Sequence, residues 1–229
     1  MKLSNWHALG NSYLLAEGAE LSAEEVRRAV GDADGIVQVT ATGPDWADVV
    51  IWNPDGSTAE MSGNGTRIAA RWLSDRTGVE RVRVNVGRRE VVARMLGGAV
   101  VEQDLGLVEV GAPETVEGIE FVPVSVGNPH AVVQGSPEEI ARIGPLLETH
   151  PRFPERTNVQ VVEVDGPGEV TARVWERGVG ETTASGTSAV AVAAATHDDG
   201  EVLVHFPGGD LRVRLDAGRA YLTGPAERA

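Results

Sequence analysis

Two alanine-rich stretches, each opened by a Ser-Gly pair, decide the fold. Residues 62–73 read Ser-Gly-Asn-Gly-Thr-Arg-Ile-Ala-Ala-Arg-Trp-Leu, and residues 185–195 read Ser-Gly-Thr-Ser-Ala-Val-Ala-Val-Ala-Ala-Ala. Serine is a favoured N-cap residue and alanine is the strongest helix former, so each stretch is predicted to be a helix that begins directly after its serine. The small side chains allow close packing in a crowded interior, so both helices are expected to be buried.

The two stretches also share their sequence context. A glutamate shortly precedes each serine, Glu60 in one case and Glu181 in the other, and Ser62 and Ser185 lie about half the chain length apart. This spacing predicts an internal duplication of two α/β halves, each presenting one buried helix with its N-terminus at a shared cleft. The alternative is a pair of core helices that start with ordinary capping residues, and the spacing alone does not decide between the two.

Short valine-rich runs surround these helices, separated by glycine, proline and aspartate at intervals typical of antiparallel meanders. Strands are predicted at 49–52, 82–86, 91–95, 100–101, 107–110, 131–133, 159–164, 169–175, 201–206 and 211–215. Two more helices are predicted. The one at 22–30 opens with a Ser-x-x-Glu capping box, and the one at 136–140 has a serine cap with proline at the first helical position.

Many strands with few helices predict an α+β protein. We expect two pseudo-symmetric α/β halves, each a mixed or antiparallel sheet around a central helix. The N-terminal half is expected to be residues 1–112, carrying Ser62, and the C-terminal half residues 113–229, carrying Ser185. The last residues are expected to pack back on the N-terminal half, and Gly111-Ala112-Pro113 is a candidate hinge.

The composition excludes several classes of protein. The 229 residues include 20 basic and 34 acidic side chains, for a net charge of −14. This argues against nucleic acid or an anionic membrane as a partner, because both need a positive face. The sequence contains no membrane-spanning apolar run and no signal-peptide pattern, so a cytoplasmic location is expected. The absence of cysteine excludes disulfides, thiolate zinc sites and thiol catalysis, and no metal site is expected from the spacing of the histidines.

The two helix starts suggest a chemical role. A helix N-terminus carries unpaired N–H groups and a partial positive charge of about half a unit. Two such ends facing one cleft would hold a carboxylate without a metal or a lysine. Groups at positions 62 and 185 would then flank the ligand, which suits removal of a proton from one face of a carbon and its return from the other.

Five blocks of the sequence occur in the order found in the diaminopimelate epimerase family, which the chain resembles over nearly its whole length. The blocks are residues 1–12, ending His-Ala-Leu-Gly-Asn-Ser; 53–67, containing Glu-Met-Ser-Gly-Asn-Gly-Thr-Arg; 127–130, Gly-Asn-Pro-His; 155–159, Glu-Arg-Thr-Asn-Val; and 176–187, Glu-Arg-Gly-Val-Gly-Glu-Thr-Thr-Ala-Ser-Gly-Thr. The C-terminal pattern of the family is matched by 208–210 and 223–226.

The resemblance implies the family's pseudo-twofold fold, an active site between the halves and a homodimer. It implies an isomerase that interconverts LL- and meso-diaminopimelate, precursors of lysine and peptidoglycan, by two-base proton transfer at one α-carbon, with no pyridoxal phosphate, other cofactor or metal. The family uses two cysteines for this, and they align with Ser62 and Ser185. His130 and Glu176 are further acid/base candidates, either of which could partly activate a serine.

The resemblance also assigns the residues that would bind the substrate, a small amino-acid dicarboxylate. Its distal end would be held by Asn53, Asn158 and Arg177, because arginine forks onto carboxylates. Glu176 would pair with the ammonium group at the reacting end. The remaining ligand contacts are assigned to Asn11, Asn128 and the backbone N–H groups of Gly63, Asn64, Gly186 and Thr187. One departure is Asp34-Gly35, where some members have Asp-Gln.

Serine at both catalytic positions keeps the shape and the hydrogen bonding of cysteine but not its basicity. A thiol pKa near 8.5 falls to roughly 3.5–7.5 at a helix N-terminus, whereas a serine hydroxyl acts only with an adjacent base. The two-base reaction is therefore expected to be very slow. Three explanations stay open: a Cys-to-Ser double variant made to trap substrate, a divergent racemase or dehydratase that uses serine or His130, and a catalytically silent amino-acid-binding homologue.

Overall fold

The computed structural model describes residues 2–18 and 20–229; Met1, where the first family-like block begins, and Ala19 lie outside the described residues. The first elements in chain order are β1 (Lys2–Ala8), β2 (Asn11–Glu17), α1 (Ala23–Ala29), β3 (Gly35–Thr42), β4 (Trp46–Trp52), β5 (Thr58–Ala59), α2 (Gly63–Thr77), β6 (Arg81–Val86), β7 (Arg89–Gly97) and β8 (Val100–Leu107). The chain continues with β9 (Glu109–Val110), β10 (Glu114–Val116), β11 (Ile119–Ser125), β12 (Pro129–Gln134), a short 3-10 turn (Pro137–Glu139), α3 (Ile140–Glu148), β13 (Asn158–Gly166), β14 (Glu169–Glu176), β15 (Gly180–Thr182), α4 (Gly186–Thr196), β16 (Gly200–Phe206), β17 (Gly209–Asp216), β18 (Arg219–Pro225) and β19 (Glu227–Arg228).

The chain divides into two compact units. Unit 1 consists of Met1–Asp104 together with Thr223–Ala229, and unit 2 of Leu105–Leu222. In unit 1 the C-terminal strand β19 pairs with β1, with Trp6 opposite Arg228. The domain division expected at residues 112 and 113, with its hinge, stays a prediction.

Unit 1 wraps a mixed sheet around α2. Its strands follow a regular pattern: β1 is antiparallel to β2, β2 parallel to β3, β3 antiparallel to β4, β4 parallel to β6, and β6 antiparallel to β7. The short strand β5 pairs antiparallel with β4. Helix α2 packs against all six of the long strands in this pattern, so its first eight residues are buried. The helix ends at Gly78, whose φ of 76° is the left-handed conformation that favours glycine.

Unit 2 repeats this topology strand for strand. Here β11 is antiparallel to β12, β12 parallel to β13, β13 antiparallel to β14, β14 parallel to β16, and β16 antiparallel to β17. The short strand β15 pairs antiparallel with β14, as β5 does with β4. Helix α4 packs against the six corresponding strands and is buried from Gly186 to Ala193. Its small side chains allow this close approach from every side.

The register of the strands identifies equivalent positions in the two units. Tyr13 of β2 lies opposite Gly35, the first residue of β3, and His130 of β12 lies opposite Asn158, the first residue of β13. The next antiparallel pair of each unit also has a register shift, between Val39 and Ala41 in β3–β4 and between Val164 and Gly166 in β13–β14. The predicted internal duplication is confirmed by this topology, and so is the α+β class with a mixed sheet around a central helix. That both helix starts face one cleft stays a prediction.

The helix predictions are confirmed with one exception. The capping box of α1 is present, since Glu25 N–H donates to Ser22 Oγ at 3.3 Å and Ser22 N–H donates to Glu25 Oε2 at 2.8 Å. The serine cap predicted for 136–140 is wrong, because the Ser136 side chain makes no capping hydrogen bond. A 3-10 turn occupies Pro137–Glu139 instead, and the α-helix begins only at Ile140.

Candidate active site

The start of α2 is the first part of the candidate site. Ser62 is the N-cap residue, and its Oγ accepts a hydrogen bond from the Gly65 N–H at 3.1 Å. The Thr66 N–H and hydroxyl donate to the Ser62 carbonyl at 3.0 and 2.8 Å. These bonds fix the serine at the helix start, while its own O–H can be directed at a second group.

A tyrosine that the sequence analysis did not single out lies against this serine. The Tyr13 hydroxyl is 3.4 Å from Ser62 Oγ, with either oxygen able to donate. A Cβ on residue 35 would come within 2.8 Å of Tyr13 Cε1 and 2.6 Å of the Trp52 carbonyl oxygen. Glycine is therefore needed at position 35 for the tyrosine ring to lie here. A sequence signal was present, since residues 11 and 13 of one strand face the same side.

Arg67 lies on the first turns of α2 as a fully buried cation, 0% exposed. Its Nη2 donates to Asn64 Oδ1 at 2.6 Å and its Nε to the Pro225 carbonyl at 3.3 Å, whereas Nη1 has no hydrogen-bond partner in the part of the chain that the structure describes. Burial lowers the pKa of Arg67 to about 10, and the electrostatic interaction with Tyr13 opposes this shift. A negative group near Nη1 would therefore be stabilised here.

A buried glutamine from a strand supports the same helix turn. Gln103 of β8 is 0% exposed, and its amide lies 2.6 Å from Thr66 Oγ1. One amide orientation also pairs it with the Gly63 carbonyl at 3.0 Å and the Arg67 N–H at 3.1 Å. The sequence analysis missed Gln103, although a polar residue at an inward position of a strand is a usable signal.

Asn11 and Asn53, two predicted ligand contacts, also belong to unit 1. Asn11 is buried at the first residue of β2. Asn53 closes the turn after β4, because its N–H donates to the Ser57 carbonyl at 2.8 Å and its Nδ2 to Ser57 Oγ at 3.0 Å. The Ser57 hydroxyl and N–H in turn lower the pKa of Asp55 by donating to its carboxylate. The turn is therefore built by local side-chain bonds.

The start of α4 is the corresponding part of unit 2. Ser185 is the N-cap residue and is 5% exposed, but unlike Ser62 its side chain makes no capping hydrogen bond. The next two residues, Gly186 and Thr187, are buried, and Thr187 Oγ1 accepts from Asn128 Nδ2 at 3.4 Å. The two serines thus occupy equivalent helix positions with different hydrogen bonding.

A buried chain of hydrogen bonds runs through His130, which is 1% exposed. One ring nitrogen, Nε2, lies 3.0 Å from Asn128 Oδ1, and the other, Nδ1, lies 3.0 Å from Gln160 Nε2. Gln160 Nε2 also donates to Ser188 Oγ on α4 at 2.9 Å, and Gln160 Oε1 has no hydrogen-bond partner among the described residues. An amide oxygen at Nε2 and an amide N–H at Nδ1 select the neutral tautomer that donates from Nε2.

The electrostatics agree with a neutral ring. Burial lowers the pKa of His130 to about 3; its bond with Gln160 opposes the shift and the positive charge of Arg177 adds to it. His130 is therefore neutral at ordinary pH. Its predicted acid/base role stays a prediction. Gln160 was missed by the sequence analysis, although it stands between two buried valines of β13.

Asn158 connects the start of β13 to the loop after β14. Its Oδ1 accepts from the Arg177 N–H at 3.0 Å, and its Nδ2 donates to the Pro129 carbonyl at 2.9 Å. The half-buried Arg177 donates from Nη1 to the Glu155 carbonyl at 3.3 Å. The structure thus brings together Asn158 and Arg177, two predicted ligands of the distal carboxylate. Both polar atoms of the Asn158 amide bind backbone groups, those of Arg177 and Pro129.

Glu176 lies at the end of β14 beside Arg177 and is half-buried. Its Oε1 accepts from the Thr182 hydroxyl at 2.6 Å. The flanking residues Trp175 and Gly178 donate to the carboxylate of Glu148 at 2.7 Å each, so that this buried glutamate holds the loop. Nothing in the sequence distinguishes Glu148 from the many exposed glutamates.

Unit 2 contains a cavity of about 460 Å³ beside the His130 network. Its lining includes Gly127, Asn128, His130, Phe153 and Glu155. The cavity therefore joins two predicted site residues, Asn128 and His130, while the other predicted residues of unit 2 do not line it.

Across residues 2–18 and 20–229, no group of three or more histidine, aspartate and glutamate side chains is arranged to hold a metal ion. Within the same ranges, no helix is both long enough and apolar enough to cross a membrane.

Sequence comparison gives consistent relatives. The family model for diaminopimelate epimerase matches residues 122–229. A diaminopimelate epimerase from Desulforudis audaxviator is 37% identical, with 99% of this chain and 96% of the relative covered. Those from Synechococcus sp. strain JA-2-3B'a(2-13) and Pelotomaculum thermopropionicum are 36% and 34% identical, each over 99% of this chain and 95% and 96% of their own lengths.

Solved structures share the fold at low sequence identity. A predicted epimerase from Pseudomonas aeruginosa superimposes with a TM-score of 0.82 at 18% identity, covering 99% of this chain and 96% of the other. A hydroxyproline epimerase from Agrobacterium vitis gives a TM-score of 0.70 at 15% identity, covering 99% and 88%. The fold similarity and the sequence identity over nearly the full length lead to one conclusion: the chain belongs to the diaminopimelate epimerase family and is an isomerase.

Proposed function

We propose that this chain interconverts LL- and meso-diaminopimelate by proton transfer at one α-carbon, slowly in its serine form and without a cofactor. One observation carries the proposal: each of the two duplicated units starts its buried central helix with an N-cap serine, at the positions where the family has its two cysteines. Ser62 and Ser185 are the proposed proton-transfer groups. The substrate is an amino-acid dicarboxylate.

The helix starts would bind the carboxylate of the reacting end. The backbone N–H groups of Gly63, Asn64, Gly186 and Thr187 belong to the first turns of α2 and α4, where unpaired donors and the helix dipole favour an anion. Asn11 and Asn128 are the other ligand contacts that we propose on this side.

The remaining substrate groups would be bound by the loops that precede the helices. The Glu176 carboxylate would pair with the ammonium group at the reacting end, and the Arg177 guanidinium with the distal carboxylate. Asn158 supports the binding of the distal carboxylate by Arg177, because Asn158 Oδ1 accepts from the Arg177 N–H at 3.0 Å and so holds the backbone of the arginine. Asn53, held in its own turn, is the second distal contact that we propose.

For His130 we propose that the ring positions a neighbouring side chain and does not itself transfer a proton. Its ring is neutral at ordinary pH because burial lowers the pKa to about 3, and both nitrogens lie 3.0 Å from amide groups. A neutral imidazole that donates to Asn128 Oδ1 orients this amide, whose Nδ2 faces Thr187 at the start of α4.

The test restores the thiols. In Ser62→Cys/Ser185→Cys we expect solvent deuterium to enter the α-position of diaminopimelate, with inversion, faster than in the parent by roughly 10²–10⁴-fold, the range for a positioned acid or base. The matched control is Ser74→Cys/Ser136→Cys, which adds one thiol to each unit away from the helix starts. A folded but silent restored variant would exclude diaminopimelate as the substrate.

The second candidate function is a catalytically silent binding protein for an amino acid. The observation that favours it is serine at both positions, since a hydroxyl does not ionise near neutral pH. Diaminopimelate binding measured by calorimetry, together with no isotope exchange even at high protein concentration, would support it for this chain. Exchange with proline or hydroxyproline instead would support a related racemase, and loss of water from the substrate would support a dehydratase.

Three further properties belong to the same proposal. We infer a homodimer, to be tested by light scattering after size exclusion, and a cytoplasmic location, to be tested by cell fractionation. We also infer a division into two halves near residue 112, with a hinge at Gly111-Ala112-Pro113. Limited proteolysis with and without diaminopimelate would test the hinge, since a closed form should be cut there more slowly.

A further inference from the structure

We propose that Tyr13 is the proton-transfer partner of Ser62, so that the phenolate of Tyr13 accepts the hydroxyl proton of Ser62 while Ser62 takes the proton of the substrate α-carbon. This inference rests on the proposed function, because it assigns the base for one of the two faces. It addresses the central chemical difficulty of the chain, which is that a serine hydroxyl needs an adjacent base.

The first support is the contact itself. Tyr13 Oη and Ser62 Oγ are 3.4 Å apart, and one of the two lone pairs of the serine oxygen already caps α2 by accepting from the Gly65 N–H. The serine proton can therefore be directed at the tyrosine oxygen. The space for the ring depends on Gly35, since a Cβ there would approach Tyr13 Cε1 to 2.8 Å.

The second observation is positional and comes from the internal duplication. Residues 10–13 read Gly-Asn-Ser-Tyr and residues 127–130 read Gly-Asn-Pro-His. Each sequence runs into a strand, β2 or β12, that pairs parallel with the following long strand, β3 or β13. Tyr13 lies opposite the first residue of β3, and His130 lies opposite the first residue of β13. Tyr13 is therefore the counterpart of His130. Each unit places a titratable aromatic side chain at the same point of its sheet.

The third support is a buried cation near the phenol. Among residues 2–18 and 20–229, Arg67 Nη1 has no hydrogen-bond partner although the side chain is 0% exposed, and the guanidinium interacts electrostatically with Tyr13. A tyrosine ordinarily ionises near pH 10, and a neighbouring cation favours its ionised form. Arg67 would stabilise the phenolate that this relay requires, and the phenolate would compensate the buried positive charge.

The proton balance of the step closes without a further reactant. The bond between the α-carbon and its hydrogen breaks, and the proton passes to Ser62 Oγ as the Ser62 O–H proton passes to the Tyr13 oxygen. The electron pair stays on the substrate as a carbanion, delocalised into the carboxylate that the helix starts would bind. Tyr13 is then a neutral phenol, and the same path in reverse returns the proton.

The first experiment measures deuterium exchange into LL- and meso-diaminopimelate separately, as a function of pH. In the parent we expect exchange that rises with pH as the phenol ionises. Tyr13→Phe should lower it by at least about tenfold and remove this rise, because the relay loses its base. Tyr221→Phe, which removes the other tyrosine of the chain, is the matched control and should exchange like the parent.

The cysteine background separates the two proposals. A thiolate at position 62 needs no phenolate, so Tyr13→Phe in Ser62→Cys/Ser185→Cys should exchange as fast as the restored enzyme. If Tyr13→Phe exchanges like the parent, the Tyr13 relay is wrong and the proposed function stands. If the restored enzyme is active but the parent shows no exchange, the relay is wrong and the parent is the silent binding protein of the second candidate function. If the restored enzyme is silent, the proposed function itself fails.

The second experiment reads the phenol directly and needs no activity. The chain has two tyrosines, so the difference in phenolate absorbance between the parent and Tyr13→Phe reports Tyr13 alone. We expect Tyr13 to ionise at a lower pH than tyrosine in a model peptide, and to shift upward by about one pH unit or more in Arg67→Met, as expected on loss of a nearby opposite charge. Arg67→Lys, which keeps the charge, should shift it less. Ionisation at or above the model value in the folded parent would overturn the proposal.

Discussion

His130 is a titratable residue that the folded protein keeps neutral, and this affects stability at acid pH. Burial lowers its pKa from 6.5 to about 3. Between these two values the unfolded chain binds a proton at this residue and the folded protein does not. The free energy of unfolding therefore falls as the pH falls through this window, by up to about 1.4 kcal/mol per pH unit, and is unaffected above it.

The prediction concerns the variant His130→Gln, which has no titratable ring. We expect its free energy of unfolding to fall less than that of the parent between pH 7 and pH 5, by about 2 kcal/mol. Urea denaturation at both pH values measures this. His7→Gln, at an exposed position, is the control and should keep the parent slope. An unchanged slope in His130→Gln would mean that the ring titrates at the same pH in the folded and the unfolded protein.

At the residue scale, the sequence predicts a functional residue when its neighbours in the chain form a recognisable pattern around it. Ser62 and Ser185 could be predicted as helix N-caps, and Asn128 and His130 as site residues, because each stands in a short recognisable block. The partners of Tyr13, Gln103 and Gln160 could not be predicted, since they are distant in the chain. Tyr13 meets Ser62 across 49 positions and Gln160 meets His130 across 30.

Among the elements, α2 and α4 begin with the same residue type but different capping. Ser62 Oγ accepts from an N–H of the first turn at 3.1 Å, whereas the Ser185 side chain makes no capping bond. We therefore expect Ser62→Ala to lower the free energy of unfolding by about 1 kcal/mol, and Ser185→Ala to change it little. Chemical denaturation measures the free energy of unfolding of both variants, and each variant serves as the control for the other. Equal losses would show that Ser185 caps its helix in solution.

The limits of prediction at the element scale follow from particular residues. The capping box at Ser22 is a local device, so sequence alone predicts it. The extent of α3 could not be predicted, because Gly144 and Pro145 read as a helix break. In the structure Gly144 lies inside the helix and allows contact with Trp175, since a Cβ there would be 2.6 Å from Trp175 Cβ. The strands β1 and β2 were missed because they lack valine and carry polar residues.

The duplication at the scale of the whole chain was predicted from two short stretches, but the strand order was not. The parallel pairs β2–β3, β4–β6, β12–β13 and β14–β16 each enclose a helix or longer connection, and no local signal gives their register. Helix starts are encoded within about four residues, while sheet neighbours depend on packing between distant segments. The repeated pattern identified Tyr13 as the counterpart of His130, which the sequence motif alone did not.

The net charge of −14 leads to a prediction for the whole molecule. Excess acidic groups repel one another over distances up to the Debye length, about 30 Å at 0.01 M salt and about 8 Å at 0.15 M. The surface ion pairs have contact distances such as 2.6 Å for Arg152–Glu114 and 3.9 Å for Arg83–Glu90, well inside this range, and each contributes little. Added salt therefore screens the long-range repulsion more than it weakens the pairs.

We expect the unfolding temperature at neutral pH to rise when sodium chloride is increased from 0.01 to 0.15 M, as the repulsion that favours the expanded chain is screened. Near pH 4.8, the isoelectric point, the net charge vanishes and the same salt addition should have little effect. Differential scanning calorimetry at the two pH values measures both. A fall in unfolding temperature at neutral pH would mean that the ion pairs outweigh the repulsion. An equal rise at both pH values would point instead to a salt effect unrelated to net charge.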